Sequence, residues 1–280
     1  MRYRKKDLIQ MIAILEETNQ RTKTADTDML ELMRNEFIEC QSIAIDLGTY
    51  LETLDIDTRP IVELLEDYCE TLYQQSEHIN DASSCRKLCK KINKLLNQVK
   101  NAIKYDLPAG KKEIIFLPYK AAMWDSLESI WQAARKDESC NAYVIPIPYF
   151  DKSADGSLGA MHDEREAYPD YVPVISWNEY HIEEHRPDIA YVHNPYDDWN
   201  YVTSIHPDFF ATRLKKNVGR LVYIPYFTAA KNRVDSHLCV LPVTILADKV
   251  IVQSEPVRQV YINELKKAEK ENRIIKVKNI

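Results

Sequence analysis

Glycine is scarce in this 280-residue chain: Gly48, Gly110, Gly156, Gly159 and Gly219 are all there is. A dinucleotide-binding turn needs three glycines within six residues and a Walker loop needs two ahead of a lysine, so that backbone can close on phosphate. Neither spacing exists here, which removes nicotinamide dehydrogenases and P-loop nucleotidases. Long apolar runs are missing too, because the longest, 238–247, falls far short of the roughly 20 residues of a membrane-spanning helix. A basic excess is lacking as well. The net charge is −6, whereas nucleic-acid binders concentrate Lys and Arg against phosphates. The six cysteines contain no CxxC pair and make no dense disulfide framework. Cys85 and Cys89, four apart, would share a helix face and bind a metal; buried free thiols are the competing reading.

What is present is the composition of a folded globular protein, 45% hydrophobic and 29% charged, long enough for about two domains. Arg2, Arg4, Lys5 and Lys6 resemble the start of a signal peptide, but Asp7, Gln10 and Glu16 interrupt its apolar core. A cytoplasmic protein is expected. Those cations form either a solvated helix start or a peripheral contact with the inner face of an anionic membrane.

Two periodicities divide the chain. Over 1–108, Met33, Phe37, Cys40, Ala44, Leu47, Leu51 and Leu54 alternate spacings of four and three, as a packed helix requires. Leu88, Ile92, Leu95, Val99 and Ala102 repeat the stripe. Ile61, Leu65, Tyr68 and Leu72 follow Thr58 and Pro60, a helix start, and Leu8, Ile12 and Leu15 mark a first helix. Four helices in an antiparallel bundle are predicted, with connections at 22–28, 55–59 and 80–84. Their stripes form either an internal core or a self-association surface. Pro108 and Gly110 end the pattern. Over 112–280, short apolar runs at 114–118, 143–148, 189–193, 221–225 and 250–253 alternate with helical stretches at 124–135, 209–216 and 256–270. This predicts a Rossmann-like α/β domain with a parallel sheet buried on both faces.

Ligands of open parallel sheets sit outside the carboxyl ends of the strands. Four exits carry Pro-Tyr: Pro118-Tyr119, Pro148-Tyr149, Pro195-Tyr196 and Pro225-Tyr226. Each Pro ends pairing and each Tyr offers a flat face and a hydroxyl, so an aromatic-lined cleft is expected. Within it, His193, Asn194, Tyr196 and Asp197 make His193 a candidate base oriented by Asp197. A buried structural histidine is the alternative. Tyr201, Thr203, Ser204 and His206 are read as a polar loop for sugar or glycerol hydroxyls. Lys120, ahead of a helix starting near Trp124, is placed to meet phosphate at that helix start.

Other motifs are weaker. His181 to His185 match the inverted zinc-protease pattern HxxEH, but Pro187 puts them at the amino edge of the sheet. Asp151, Ser153, Asp155 and Gly156 imitate a calcium loop whose twelfth position is His162 rather than Glu. The loop 151–171 is long enough for a lid.

The segments KKEIIFLPYKAAMWDSLESIW, YVIPIPYFDKSADGS, RPDIAYVHNPYDDWNYVTSIHP and RLVYIPYF resemble the amino-terminal part of the CDP-glycerol glycerophosphotransferase family over residues 112–280. That resemblance implies the acceptor-side half of a GT-B-like bacterial enzyme of teichoic-acid-type polymer synthesis, with 1–108 as an accessory extension. It implies a glycerophosphate- or sugar-bearing acceptor bound here, and CDP-glycerol as co-substrate in a second domain beyond 280. The chain is therefore not expected to act alone. Tyr119, Lys120, Trp124, Asn194, Tyr196, Tyr201, Ser204, His206 and Tyr226 would bind substrate. Where the family has His-Gly at a strand exit this chain has Pro225-Tyr226, so His193 stands in as base, with Asp197. No cofactor and no metal is demanded by any motif. The alternatives are a non-catalytic binding or scaffold protein with a degenerate domain, and a GT-B glycosyltransferase using another nucleotide-sugar donor.

Overall fold

The computed structural model describes residues 5–22, 30–79, 81–108, 110–229 and 233–271. Two compact units emerge, Arg2–Ala109 and Gly110–Ile280.

The first unit is helical: α1 (Lys5–Thr22), α2 (Leu30–Glu52), α3 (Arg59–Glu77) and α4 (Ala82–Asn101), followed by a π-helical turn over Ala102–Asp106. Thr58 Oγ1 donates to Leu51 O across the short connection, and Gln41 Nε2 donates to Cys69 O about ten residues further along both helices, so α2 and α3 run antiparallel. Lys100 to Glu16 and Asn19 to Cys89 O fix the same relation between α1 and α4. The core takes Leu8, Ile12, Phe37, Leu47, Leu51, Leu65, Tyr68, Ile92, Leu96 and Val99, which is the periodic stripe with one shift. On α4, Cys89 and Leu96 go inward while Leu88 stays half-exposed, since a 3.6-residue period drifts off a strict heptad. Cys85 Sγ donates to His78 O and Cys89 Sγ accepts from Gln75 Nε2, so the two thiols serve separate polar contacts and not one metal. The third predicted connection is shorter than read: Asp81 caps Ser83 N–H, and α4 is already under way at Ser84. The predicted connection at 22–28, apart from Thr22, and the cations Arg2 and Arg4 lie outside the described residues, as does 272–280.

The second unit is built on a five-stranded, all-parallel sheet of β1 (Lys112–Leu117), β2 (Cys140–Val144), β5 (Ile189–Val192), β7 (Arg220–Tyr223) and β8 (Lys249–Val250), in the order β2-β1-β5-β7-β8. An α/β chain with a helical region ahead of a parallel sheet is thus what folds. Alternate residues of β1 separate onto the two faces as the strand period of two dictates. Ile115 and Leu117 join Leu214, Val243, Val257 and Tyr261 on one side, while Ile114 and Phe116 join Leu127, Trp131 and Val172 on the other. One face is therefore covered by α7 (Ala211–Asn217), α8 (Pro242–Leu246) and α9 (Glu255–Lys270), the other by α5 (Asp125–Lys136). Aspartates ahead of two strands pin the neighbouring strand starts: Asp188 accepts from Glu113 N–H and Asp248 from Leu221 N–H, satisfying amides that would otherwise be orphaned.

Two expectations need correction. The strand expected at 143–148 ends at Val144; Ile145 and Ile147 still donate to Phe116 O and Pro118 O, but Pro146 and Pro148 have no N–H to continue the ladder. The stretch 151–171 is not a structureless loop. β3 (Tyr149–Lys152) and β4 (Leu158–His162) form a hairpin turning at Gly156, whose φ of 85° suits glycine, and β6 (Thr203–Ile205) pairs on the other side in an antiparallel sheet β4-β3-β6. The HxxEH stretch is a single turn, α6 (Ile182–His185), in which His185 Nδ1 meets Glu113 Oε1 at 2.9 Å near the amino end of β1.

Candidate functional site

In the order β2-β1-β5-β7-β8 the connections reverse direction between β1 and β5, and the carboxyl ends of such a pair frame the ligand crevice of a doubly wound sheet. Here that crevice is stapled shut at its base by His193. Tyr119 N–H donates to His193 Nε2 at 2.6 Å, and Ser126 Oγ lies 2.9 Å from Nδ1 while donating its own proton to Met123 O at 2.8 Å. With Nε2 accepting from an amide and Ser126 already committed as donor, the proton sits on Nδ1 and both nitrogens are used. The ring is 0% exposed. Burial pushes its pKa down to about 3, opposed by a contact with the Met123 backbone. His193 is a neutral clamp joining the ends of β5 and β1 to the start of α5, with neither ring nitrogen left for the role of base expected of it.

Asp197 does not orient it. Its carboxylate accepts from Ala211 N–H through both oxygens, at 3.1 and 3.0 Å, and holds the start of α7. It is 5% exposed, with a left-handed φ of 51°. Burial and then the charge of Asp198 push its pKa up to about 7, against the pull of the Ala211 amide.

The chemistry gathers on the small sheet that follows the exits of β2 and β5. Tyr149 and Asp151 share one face of β3; His162 is the cross-strand partner of Tyr149, and Thr203 that of Asp151. His162 Nε2 lies 2.7 Å from Asp151 Oδ2, and the imidazole stacks on Tyr149 with centroids 4.9 Å apart. With Nε2 held by the carboxylate, Nδ1 has no partner among the described residues. This half-exposed imidazole, oriented by a carboxylate and with its second nitrogen free, is the arrangement a general base requires. Tyr119 hydroxyl and Thr203 Oγ1 are 2.7 Å apart, and Tyr119 packs 4.8 Å from Tyr149. Over these two rings lies the Lys120 ammonium, 5.2 Å from the Tyr119 centroid and 4.8 Å from that of Tyr149. It makes no ion pair with the described residues, which leaves its charge for an anion.

Glu164 closes one side. Its Oε1 accepts from Tyr149 hydroxyl at 2.7 Å and its Oε2 from Ala121 N–H at 2.9 Å. The amide that opens the 3-10 turn leading into α5 is therefore already answered by an internal carboxylate. Opposite, Tyr226 lies 5.9 Å from His193 in an edge contact. Burial and then the Tyr196 hydroxyl push its phenol up to about 12, so Tyr226 is a protonated lining group.

The sequence-predicted residues thus separate. Tyr119 and Lys120 join the His162 cluster, and Tyr226, hydrogen-bonded to Tyr196, lies against His193. Trp124 does not face the cleft; it packs on Trp131 and Tyr168 in the core beneath the other sheet face. Asn194 closes a local turn by accepting from Tyr196 N–H. Of the expected polar loop, 203–205 is the strand β6 and is buried throughout, where Thr203 meets Tyr119 and Ser204 donates to Ile205 O, while Tyr201 precedes it and is 95% exposed. His206 caps the turn Pro207–Phe209 through Asp208 N–H and stacks with Phe150 and Trp177. Asp151 and His162 were visible only as a failed calcium loop, and Glu164 gave no signal. Among the described residues no group of three or more His, Cys, Asp or Glu side chains could hold a metal ion, and no helix is long and apolar enough to cross a membrane.

No family model matches the chain, and no curated protein matches it either.

Proposed function

We propose that residues 112–280 form the acceptor-side half of a GT-B-like transferase of the CDP-glycerol glycerophosphotransferase kind, serving teichoic-acid-type polymer synthesis at the cytoplasmic face of a bacterial membrane. The observation that carries this reading is the Lys120 ammonium held over the Tyr119 and Tyr149 rings beside the His162–Asp151 pair. A glycerophosphate-bearing acceptor needs an anion site and a base in one corner, and Lys120 and His162 both lie against the Tyr149 ring. Lys120 pairs with the acceptor phosphate, and Thr203 and the tyrosine hydroxyls take its glycerol. His162 Nδ1 removes the proton of the acceptor hydroxyl while Asp151 steadies the imidazolium. The oxygen then attacks the glycerol-bearing phosphorus of CDP-glycerol, the bond from that phosphorus to the CMP oxygen breaks, and CMP leaves with the electron pair. The donor belongs to a second Rossmann-like domain of the transferase.

A non-catalytic binding protein is the second reading. It is favoured by Pro225-Tyr226 at the exit where the family carries its His-Gly, and by the loss of His193 as a base. Titration with sn-glycerol 3-phosphate, followed by CMP release from CDP-glycerol, separates the two. The transferase reading expects binding that Lys120→Ala removes and release that His162→Ala removes. Binding without CMP release in the presence of the donor domain selects the second reading, and no binding at all defeats both.

A further inference from the structure

The helical unit leaves a groove of about 630 Å3 between α2 and α3. Its floor is low because Ala44 and Gly48 lie one turn apart on α2: a Cβ at Gly48 would meet only Leu65 Cδ1, at 4.0 Å. Val62 and Leu65 complete the floor, and Ile45 and Tyr73, 60% and 54% exposed, stand along the sides. Three carboxylates, Glu52, Glu66 and Glu70, edge it, with no Lys or Arg in the lining. None of the three makes an ion pair with the described residues.

Charge and shape together select the occupant. A second copy meeting this face with its own would set carboxylates against carboxylates. Among the described residues a cationic face of the chain itself, on α4, displays Arg86, Lys87, Lys90, Lys91 and Lys94 to solvent with no acidic residue on that helix. Its apolar side, Ile92, Leu95, Leu96 and Val99, is spent in the core, so it offers charge without an apolar ridge. The groove needs both. It spans Gln41 to Glu52 on α2, about three helical turns, and suits apolar side chains at i, i+4 and i+7 with Lys or Arg flanking them, the helix-in-groove mode. We propose that this groove docks a basic amphipathic helix of a partner protein.

The probe is a fluorescein-labelled 18-residue peptide of Leu and Lys, patterned as one amphipathic helix, titrated into the full chain by anisotropy. The same peptide with Glu for Lys is the control. Saturable one-to-one binding that weakens with salt is expected for the Lys peptide alone. The surface double variant Glu66→Lys/Glu70→Lys should weaken it at least about tenfold. Gly48→Trp, which fills the groove, should block it with the far-ultraviolet circular dichroism unchanged. Should that variant unfold, the exposed double reversal decides alone. Absence of saturable binding, or binding that survives the double reversal, overturns the proposal. A dimer of the chain that the double reversal dissociates and the peptide displaces would make the occupant a second copy, and overturns it equally.

Discussion

Replacing Asp197 by asparagine should stabilise the α/β unit at neutral pH and expose a pH dependence that the native chain conceals. Asp197 is 5% exposed and its carboxyl is shifted from 3.8 up to about 7. Between about pH 4 and 7 the folded carboxyl keeps a proton that the unfolded chain has released, so stability falls as pH rises through this window. Above it, holding the ionised group in the fold costs on the order of 4 kcal/mol, from about three pKa units. Asn keeps an oxygen for Ala211 N–H, carries no charge, and tolerates the left-handed backbone. Asp197→Asn should therefore gain up to about 4 kcal/mol at pH 8 and almost nothing near pH 4.

His193 titrates in the opposite sense. Its folded pKa is about 3 against an ordinary 6.5, so between those values the unfolded chain binds the extra proton and stability is lost as pH falls. In the native chain the two slopes offset each other from about pH 4 to 6.5, and its stability from these groups is flat. In Asp197→Asn the histidine slope stands alone, about tenfold in the unfolding constant per pH unit below 6.5. Urea unfolding at pH 4.5, 5.5, 6.5 and 8 measures both effects. All four tryptophans, Trp124, Trp131, Trp177 and Trp199, lie in this unit, so their fluorescence reports it alone. Parallel pH profiles for the two proteins, or no gain at pH 8, would refute the reasoning.

Three further outcomes are expected. His193→Ala should cost about 3 kcal/mol in the same fluorescence assay, because Tyr119 N–H loses its acceptor inside a new cavity; an unchanged midpoint would remove the clamp. His162→Ala should change stability by less than about 1 kcal/mol, as a half-exposed side chain, yet lower turnover by about 100-fold or more in the transfer assay. Full turnover in that variant would sink the base assignment. Lys120→Ala should weaken sn-glycerol 3-phosphate at least about tenfold at low salt, with Lys120→Arg retaining most of the affinity; equal affinity in a calorimetric titration of all three would exclude Lys120 from the anion site.

Much of the architecture lay open in the sequence because it rests on local periods. Met33, Phe37, Cys40, Ala44, Leu47 and Leu51 mark one helix face whatever surrounds them, and runs such as Ile114 to Leu117 have no polar side to show water, so they read as strands covered on both faces. The Pro118 exit of β1 was legible for the same reason, since Pro stops a ladder by its own chemistry, whereas Tyr149, read as a strand exit, opens β3. The small sheet was not, because β4 is exposed along most of its length and carries no alternation of apolar and polar residues.

The site was decided by tertiary structure. His193 and Asp197 are near in sequence and looked like a base with its orienter, but burial fixes what each can do. His193 meets Tyr119 and Ser126, 74 and 67 residues away, and Asp197 meets Ala211, 14 away. Asp151 and His162 are brought together by a hairpin whose strand register, not its composition, sets them on one face with Tyr149. Sequence alone determined the helices of the first unit and the apolar strands of the parallel sheet. Desolvation and cross-strand partnership act between residues far apart along the chain, so only the folded molecule determined which imidazole is locked and which keeps a free nitrogen.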